Sequence, residues 1–205
     1  MIAIVDYGAG NLHSVVNALN FIGAPCSVCG DAASILAADG VILPGVGSFG
    51  AAAADMEASG LSDAVRGAAV SGKPFLGICL GLQLLFSASE ESPGAKGLGI
   101  LEGEILRIPS EGVKVPHMGW NSLDIKGGNA LFEGVESGAF VYFVHSYYLR
   151  AAQPGIVAAT ARYGVSIDAA ICRGSLFATQ FHPEKSGKTG IHMLRNFVRL
   201  CERGV

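Results

Sequence analysis

Apolar positions along this chain change their spacing in a regular alternation. Ile2 to Val5 is a short unbroken apolar run, the pattern of a strand buried on both faces of a parallel sheet. Leu12, Val15, Val16, Leu19 and Ile22 then recur at helical spacing, and Gly23 with Pro25 ends that helix. Cys26 to Cys29 reads as a second strand, and Asp31 as the cap of a short helix ending near Asp39. Val41-Ile42-Leu43 is a third strand, closed by Pro44; Ala51 to Val70 carries one or two helices with a break at Gly60. Phe75 to Cys79 is a fourth strand and Leu80 to Ser89 a helix. This rhythm implies a parallel sheet with right-handed crossovers and helices on both faces.

The second half has a different pattern. Ile100–Ile108, Phe140–Tyr148, Ile156–Ala161, Ala169–Cys172 and Leu176–Phe181 are strand candidates, separated by Gly-rich or polar turns with few helical patterns between them. The simplest arrangement adds them to the sheet as antiparallel strands. A last helix from about Thr189 to Glu202 places Ile191, Leu194, Phe197, Val198 and Cys201 on one face. The expected fold class is α/β: a mixed, mainly parallel central sheet with helices on both faces and antiparallel additions. No repeat or linker interrupts the chain, so residues 1–205 are expected to form one domain, an ordinary size for one.

Composition narrows the class. Half the residues are hydrophobic and 15% are charged, which excludes disorder. A net charge of −3 argues against a nucleic-acid partner. The 29 glycines are scattered, which predicts tight turns and close backbone approaches. Met1 is followed by Ile-Ala-Ile-Val and Asp6, with no basic start or cleavage pattern. The uncharged stretch from Tyr7 to Gly30 is broken by three asparagines, Gly23 and Pro25, so no membrane span is expected. Cysteines 26, 29, 79, 172 and 201 form an odd, unpatterned set, read as reduced thiols in a cytoplasm.

Three stretches carry candidate chemistry. In Gly77-Ile78-Cys79-Leu80-Gly81-Leu82-Gln83, glycines stand two residues before and after Cys79 where a strand meets a helix, the pattern of a nucleophile elbow with sulfur in place of a hydroxyl. The helix start favours a thiolate, and the Leu80 amide is free to meet an oxyanion. A cysteine that merely packs as a small hydrophobe is the competing reading. In Phe181-His182-Pro183-Glu184, Pro183 pushes His182 towards an extended conformation, so His182 and Glu184 can share a face, with the carboxylate orienting the imidazole. A casual His and Glu on a solvated loop is the alternative. In Pro44-Gly45-Val46-Gly47-Ser48-Phe49-Gly50, the glycines let backbone N–H groups turn towards a ligand; Gly45 and Gly47 flank the Val46–Gly47 peptide and allow it to rotate. Ala51 stands where a phosphate-binding loop needs Lys, and oxyanion donation is the expected role beside a Cys nucleophile. His13 breaks a dinucleotide fingerprint after Gly8 and Gly10. Cys26 and Cys29, three apart in a strand, would point to opposite faces, which is no zinc site, and His117, His145 and His192 show no metal spacing.

The combination of Gly-Ile-Cys79-Leu-Gly, Pro44-Gly-Val-Gly47 and His182-Pro-Glu184 resembles the class I (triad) glutamine amidotransferases. Asp6-Tyr7-Gly8-Ala9-Gly10-Asn11-Leu12, Pro116-His117-Met118-Gly119-Trp120-Asn121 and Phe143-Val144-His145-Ser146-Tyr147-Tyr148 are similar, within that family, to the glutaminase subunits of imidazole glycerol phosphate synthases. The resemblance spans residues 5 to 185. It implies Cys79 as nucleophile, His182 as general acid/base and Glu184 as its orienter, with Val46, Gly47 and Leu80 forming the oxyanion hole. It implies Gln83, Glu91, Ser146 and Tyr147 as the hold on L-glutamine, Glu91 meeting the α-ammonium and Ser146 and Tyr147 contributing backbone groups. Asn11, Trp120 and Lys185 would lie towards a partner, a (β/α)₈-barrel cyclase subunit forming a heterodimer with this chain. No metal and no cofactor are implied. Two rival readings are another triad glutaminase, such as that of pyridoxal phosphate synthase, and a catalytically silent module keeping the fold. The first carries a Pro-Gly-Gly-Glu-Ser loop where this chain has Pro44 to Ser48, and the intact Cys79, His182 and Glu184 weigh against the second.

Overall fold

The computed structural model describes residues 1–8 and 10–203; Ala9, inside the N-terminal Asp6–Leu12 motif, lies outside the described residues. The first half runs β1 (Ile2–Val5), α1 (Leu12–Phe21), β2 (Cys26–Cys29), α2 (Ala32–Ala37), β3 (Gly40–Leu43), α3 (Phe49–Ala58), α4 (Ser62–Val70), β4 (Phe75–Ile78) and α5 (Leu80–Leu84). The second half runs β5 (Gly103–Arg107), β6 (His117–Ser122), β7 (Asp124–Ile125), β8 (Phe140–His145), β9 (Tyr147–Ala151), β10 (Val157–Tyr163), β11 (Val165–Arg173), β12 (Leu176–Thr179) and α6 (Gly187–Arg203). Local chemistry sets the boundaries. Asn11 caps α1 by accepting from the Ser14 amide, and Asp31 caps α2 by accepting from Ser34. Gly60, at φ +69°, separates α3 from α4.

Eight strands form one sheet in the order β2-β1-β3-β4-β12-β11-β10-β7. The first five are mutually parallel, and β11, β10 and β7 continue antiparallel. Alternate residues of β1 feed opposite faces. Ile2 and Ile4 pack with Val15, Leu19 and Phe197 of α1 and α6, while Ala3 and Val5 pack with Ile35, Met56 and Val65 of α2, α3 and α4. Each fully buried Leu, Ile or Phe contributes about 1.5–3 kcal/mol of transfer free energy, so both layers are needed to hold the strands. Cys26 and Cys29 lie against opposite layers, as their three-residue spacing requires.

Four expectations need correction. The helix after Cys79 ends at Leu84 rather than near Ser89, because the Leu84 and Leu85 carbonyls accept from Leu98, Ile100 and Leu101 instead of continuing a helical ladder. The run Phe140–Tyr148 is two strands, broken at Ser146, because β8 pairs with β6 and β9 with β5. Those pairs form two separate two-stranded sheets beside the main one. Finally, β12 joins β4 in parallel rather than as an antiparallel addition. The expectation contained no β6: His117 to Ser122 lacks apolar alternation, and only His117 among its residues is buried.

Candidate active site

Register brings the candidate residues together. Leu43 of β3 pairs with Gly77 of β4, and Thr179 of β12 with Ile78 of β4. The segments after all three strands therefore leave the sheet side by side at its carboxyl edge, where open α/β sheets gather their ligand-binding loops. Cys79 donates its amide to Thr179 O at 2.7 Å. Its backbone sits at φ 56°, ψ −106°, and it is the only non-glycine residue at positive φ among those described. Such a conformation costs roughly 1–3 kcal/mol and is held by its surroundings. A Cβ on Gly77 would lie 3.0 Å from Gly81 O, and one on Gly81 would overlap Leu43 O and stand 2.9 Å from its carbonyl carbon. The elbow glycines are thus sites of close approach, and neither of them carries the strain.

His182 enters from the end of β12. Its own backbone is extended, but Pro183–Lys185 forms a 3₁₀ turn, so Glu184 reaches the imidazole around a turn rather than along an extended segment. His182 Nδ1 and Glu184 Oε1 are 2.8 Å apart, and both side chains are almost completely buried. Ser186 Oγ donates to His182 O, and His182 N donates to Tyr142 O, fixing the backbone. His182 Nε2 is buried with no partner among the described residues. Burial disfavours the imidazolium, yet the neighbouring Cys79 sulfur and the hydrogen bond and charge of Glu184 outweigh it and push His182 up to about 9.

A cavity of about 360 Å³ opens over this pair. Val46, Gly47 and Leu80 line it, as do Gln83, Glu91, Ser146, Tyr147 and Lys185; Asn11 and Trp120 do not. The Leu80 amide donates to no acceptor among the described residues. The two loop glycines differ: a Cβ on Gly45 would lie 2.8 Å from Leu80 Cβ and 2.9 Å from Tyr7 Oη, whereas Gly47, at φ +96°, has open space around it. Gly45 supplies room and Gly47 conformation. Glu91 Oε2 accepts from Phe49 N at 2.7 Å, capping α3 where Ser48 makes no side-chain cap, and so fixes the glycine loop with one oxygen while lining the cavity.

The opposite wall is a one-way hydrogen-bond chain. Tyr147 O accepts from His145 Nδ1 at 2.9 Å and from Gln83 Nε2 at 3.1 Å, which occupies both of its lone pairs. Ser146 O accepts from Ile108 N. The backbone groups expected to meet a substrate are therefore partly spent, and Tyr147 keeps no free carbonyl site. With His145 Nδ1 donating, its Nε2 accepts from His117 Nδ1 at 3.0 Å, and His117 Nε2 faces Asn121 Nδ2 at 3.4 Å. His117 also stacks between Phe143 and Tyr163. Burial pushes His145 down to about 3 and His117 to about 4, so both stay neutral. The sequence reading missed Gln180, whose Nε2 lies 3.7 Å from Cys79 Sγ. Its place two residues before His182, on the same face of the strand end, is the signal that could have found it.

Asn11 sits at the α1 cap, and Trp120 is exposed on β6. Among the described residues no group of three His, Cys, Asp or Glu side chains is placed to hold a metal ion, and no helix is long and apolar enough to cross a membrane.

The sequence model of the family described as glutamine amidotransferase class-I matches residues 3–201. The chain is 54% identical over 200 residues to the imidazole glycerol phosphate synthase subunit HisH of Methanothermobacter thermautotrophicus, covering 98% of each. It is 51% identical over 199 residues to that of Moorella thermoacetica, covering 97% of this chain and 94% of the relative. A solved glutamine amidotransferase structure superposes with a TM-score of 0.76 at 22% identity, covering 98% of this chain and all of the other, and this likeness speaks for the fold alone.

Proposed function

The chain belongs to the glutamine amidotransferase class-I family, alongside the imidazole glycerol phosphate synthase HisH subunits, and we propose that it releases ammonia from L-glutamine for a cyclase partner in histidine biosynthesis. The observation that carries the catalytic part is the burial of the His182–Glu184 pair beside a strained Cys79 at the sheet edge. Cys79 sulfur attacks the side-chain amide carbon, and the carbonyl oxygen becomes an oxyanion met by the Leu80 amide and the Val46–Gly47 turn. His182 gives its proton to the leaving nitrogen, and ammonia departs from a glutamyl thioester. Water then gives a proton to His182 and attacks the thioester as hydroxide, releasing glutamate and the Cys79 thiolate and leaving His182 protonated for the next turnover. Glu184 holds the imidazole orientation and offsets its charge. The free oxygen of Glu91 meets the α-ammonium, and Gln83 offers its carbonyl oxygen. Val46, Gly47, Ser146 and Tyr147 complete the enclosure.

The partner reading draws support from one face of β6 and β8. Met118, Trp120, Tyr142 and Phe140 share that face by register, and Met118, Trp120 and Phe140 are more than half exposed. Trp120 lies against Tyr142 edge to face, and its ring approaches Gly187, two residues from Lys185. An apolar face of this kind, with Lys185 near it, suits docking of a (β/α)₈-barrel cyclase as a heterodimer, and Asn11 at the α1 cap is the further residue proposed to face it. The deciding experiment is co-purification with a candidate cyclase, then a glutaminase assay with and without the cyclase's ligand. Glutamine-dependent ammonia release that rises when the ligand-loaded cyclase is added is expected. No glutaminase activity under any condition would favour a silent binding module.

A further inference from the structure

The side-chain amide of Gln180 touches the sulfur of Cys79, and no step of the chemistry above uses it. Gln180 is fully buried one residue beyond β12, and its backbone amide donates to Ala169 O, so the side chain leaves a fixed base. Which end of an amide faces a neighbour is set by the hydrogen bonds around it, and here the surroundings leave one choice. Tyr147 O can only accept, so the Gln83 atom 3.1 Å from it is the NH₂ group. That same NH₂ lies 3.1 Å from the Gln180 side chain, so the Gln180 atom facing it is Oε1. Gln180 therefore turns its own NH₂ to Cys79 Sγ, 3.7 Å away. A backbone carbonyl, which cannot flip its role, fixes the polarity of two side-chain amides in series.

We propose that Gln180 is a positioning residue for the nucleophile: its Nε2–H donates to Cys79 sulfur, favours the thiolate over the thiol and aims it into the cavity. The sulfur has two further neighbours. As a thiol it points at Val144 O, 3.9 Å away, an acceptor that gives nothing to a thiolate. On the other side His182 supplies charge. Gln180 is the uncharged donor that remains in place through both half-reactions, while the His182 proton comes and goes. Gln83 thereby gains a second role. Both protons of its amide are spent on Tyr147 O and Gln180 Oε1, so it holds Gln180 in direction and offers the cavity only its carbonyl oxygen.

The inference rests on Cys79 being the nucleophile, and its readout is thiol ionisation rather than turnover, so the two can fail separately. In the full chain, the rate of Cys79 alkylation by iodoacetamide is followed against pH, with the other four cysteines monitored by peptide mass spectrometry. Gln180→Leu should raise the midpoint by about one pH unit and slow alkylation at neutral pH about tenfold, the scale of a hydrogen bond to a charged group. Gln180→Glu, which keeps the bond from Gln83 but turns a carboxylate oxygen to the sulfur, should raise it further. Gln83→Leu, which releases Gln180 to rotate, should give a smaller rise. In the unsubstituted protein, the Gln180 side-chain NH₂ resonances should move through the same midpoint as the thiol. An unchanged midpoint in folded Gln180→Leu, or Gln180 NH₂ resonances that ignore the ionisation of Cys79, overturns the proposal. Persistence of glutamine hydrolysis in Cys79→Ala would instead overturn the function reading and leave the ionisation result standing.

Discussion

Gly81→Ala separates two things a glycine can do at the elbow. Gly81 is the second residue of α5 and has an ordinary helical φ, so alanine there is favoured by about 1 kcal/mol on helix propensity alone. Space decides the outcome. The added Cβ would overlap Leu43 O and stand 2.9 Å from its carbon and 3.3 Å from its Cγ. Two of those three atoms are backbone in a fully buried strand, so α5 must withdraw from β3 by about 1 Å for the methyl to fit. Overpacking of this kind costs roughly 1–3 kcal/mol, more than the propensity gain, and lowers Tm by a few degrees in a chain of this size. The larger effect falls on function, since α5 begins with the Leu80 amide and carries Gln83. A misplacement of about 1 Å costs on the order of 100-fold in turnover. Glutaminase assays in the complex, with melts by circular dichroism, measure both. Gly47→Ala is the control: its Cβ meets open space, and only the φ of +96° penalises it, by roughly 1–2 kcal/mol. A Gly81→Ala protein as stable and as active as its parent would refute the close-approach argument.

Cys79→Ala should abolish glutamine hydrolysis yet spare product formation in the complex when free ammonia is supplied, and a diazo-ketone glutamine analogue should label Cys79 ahead of the other four cysteines; equal labelling of Cys26 or Cys172 would contradict it. His182→Asn should lower turnover by about 10²–10⁴-fold and Glu184→Gln by less, because the imidazole remains in the second variant; the reverse ordering would mean the roles are misassigned. Stability should fall on both sides of neutrality. His182 is pushed up to about 9, so its contribution is full below about 6.5 and is lost as pH rises through 9. His145 and His117 are pushed down to about 3 and 4, so theirs is present above about 6.5 and lost as pH falls through those values. Urea melts from pH 4 to 10 test this: His182→Asn should flatten the alkaline limb and His145→Gln the acid limb, and a wild-type acid limb already level would refute the neutral-imidazole assignment.

The parallel half of the fold was readable because β1, β3 and β4 are short apolar runs buried on both faces, and because caps such as Asp31 act locally. The elbow was readable because glycines at fixed offsets leave room for a close backbone approach, and the His182–Glu184 pair because the two stand two positions apart, although they meet around a 3₁₀ turn rather than on an extended face. Pairing between distant segments was not. Nothing local in Leu176–Thr179 states that its neighbour is Phe75–Ile78, or that it runs parallel to it. The end of α5 was hidden for the same reason, since the carbonyls that stop it are claimed by residues 98–101. Gln180 stood in no quoted motif, and the stretches holding His117 and His145 said nothing of their roles: those depend on which groups accept and which donate, and that appears only once β9 and α5 face each other.

The place of β12 also sets the order in which this protein becomes competent during synthesis. β12 is threaded between β4 and β11, in the middle of the sheet, yet it is the last strand translated. Until it emerges, β4 is an open edge bearing Phe75, Leu76 and Ile78, side chains that end almost completely covered. At ribosomal rates of roughly 5–20 residues per second, the hundred or so residues that separate the two strands keep that edge unpaired for about 5–20 seconds. Such an interval invites strand addition from other nascent chains, and non-local pairing of this kind folds slowly. For the glutaminase proposed above, the same delay keeps unfinished chains from hydrolysing glutamine. The thiol is made early, but imidazole, carboxylate and the Gln180 amide arrive together on one late segment, so no truncated chain ending before Gln180 carries a working pair.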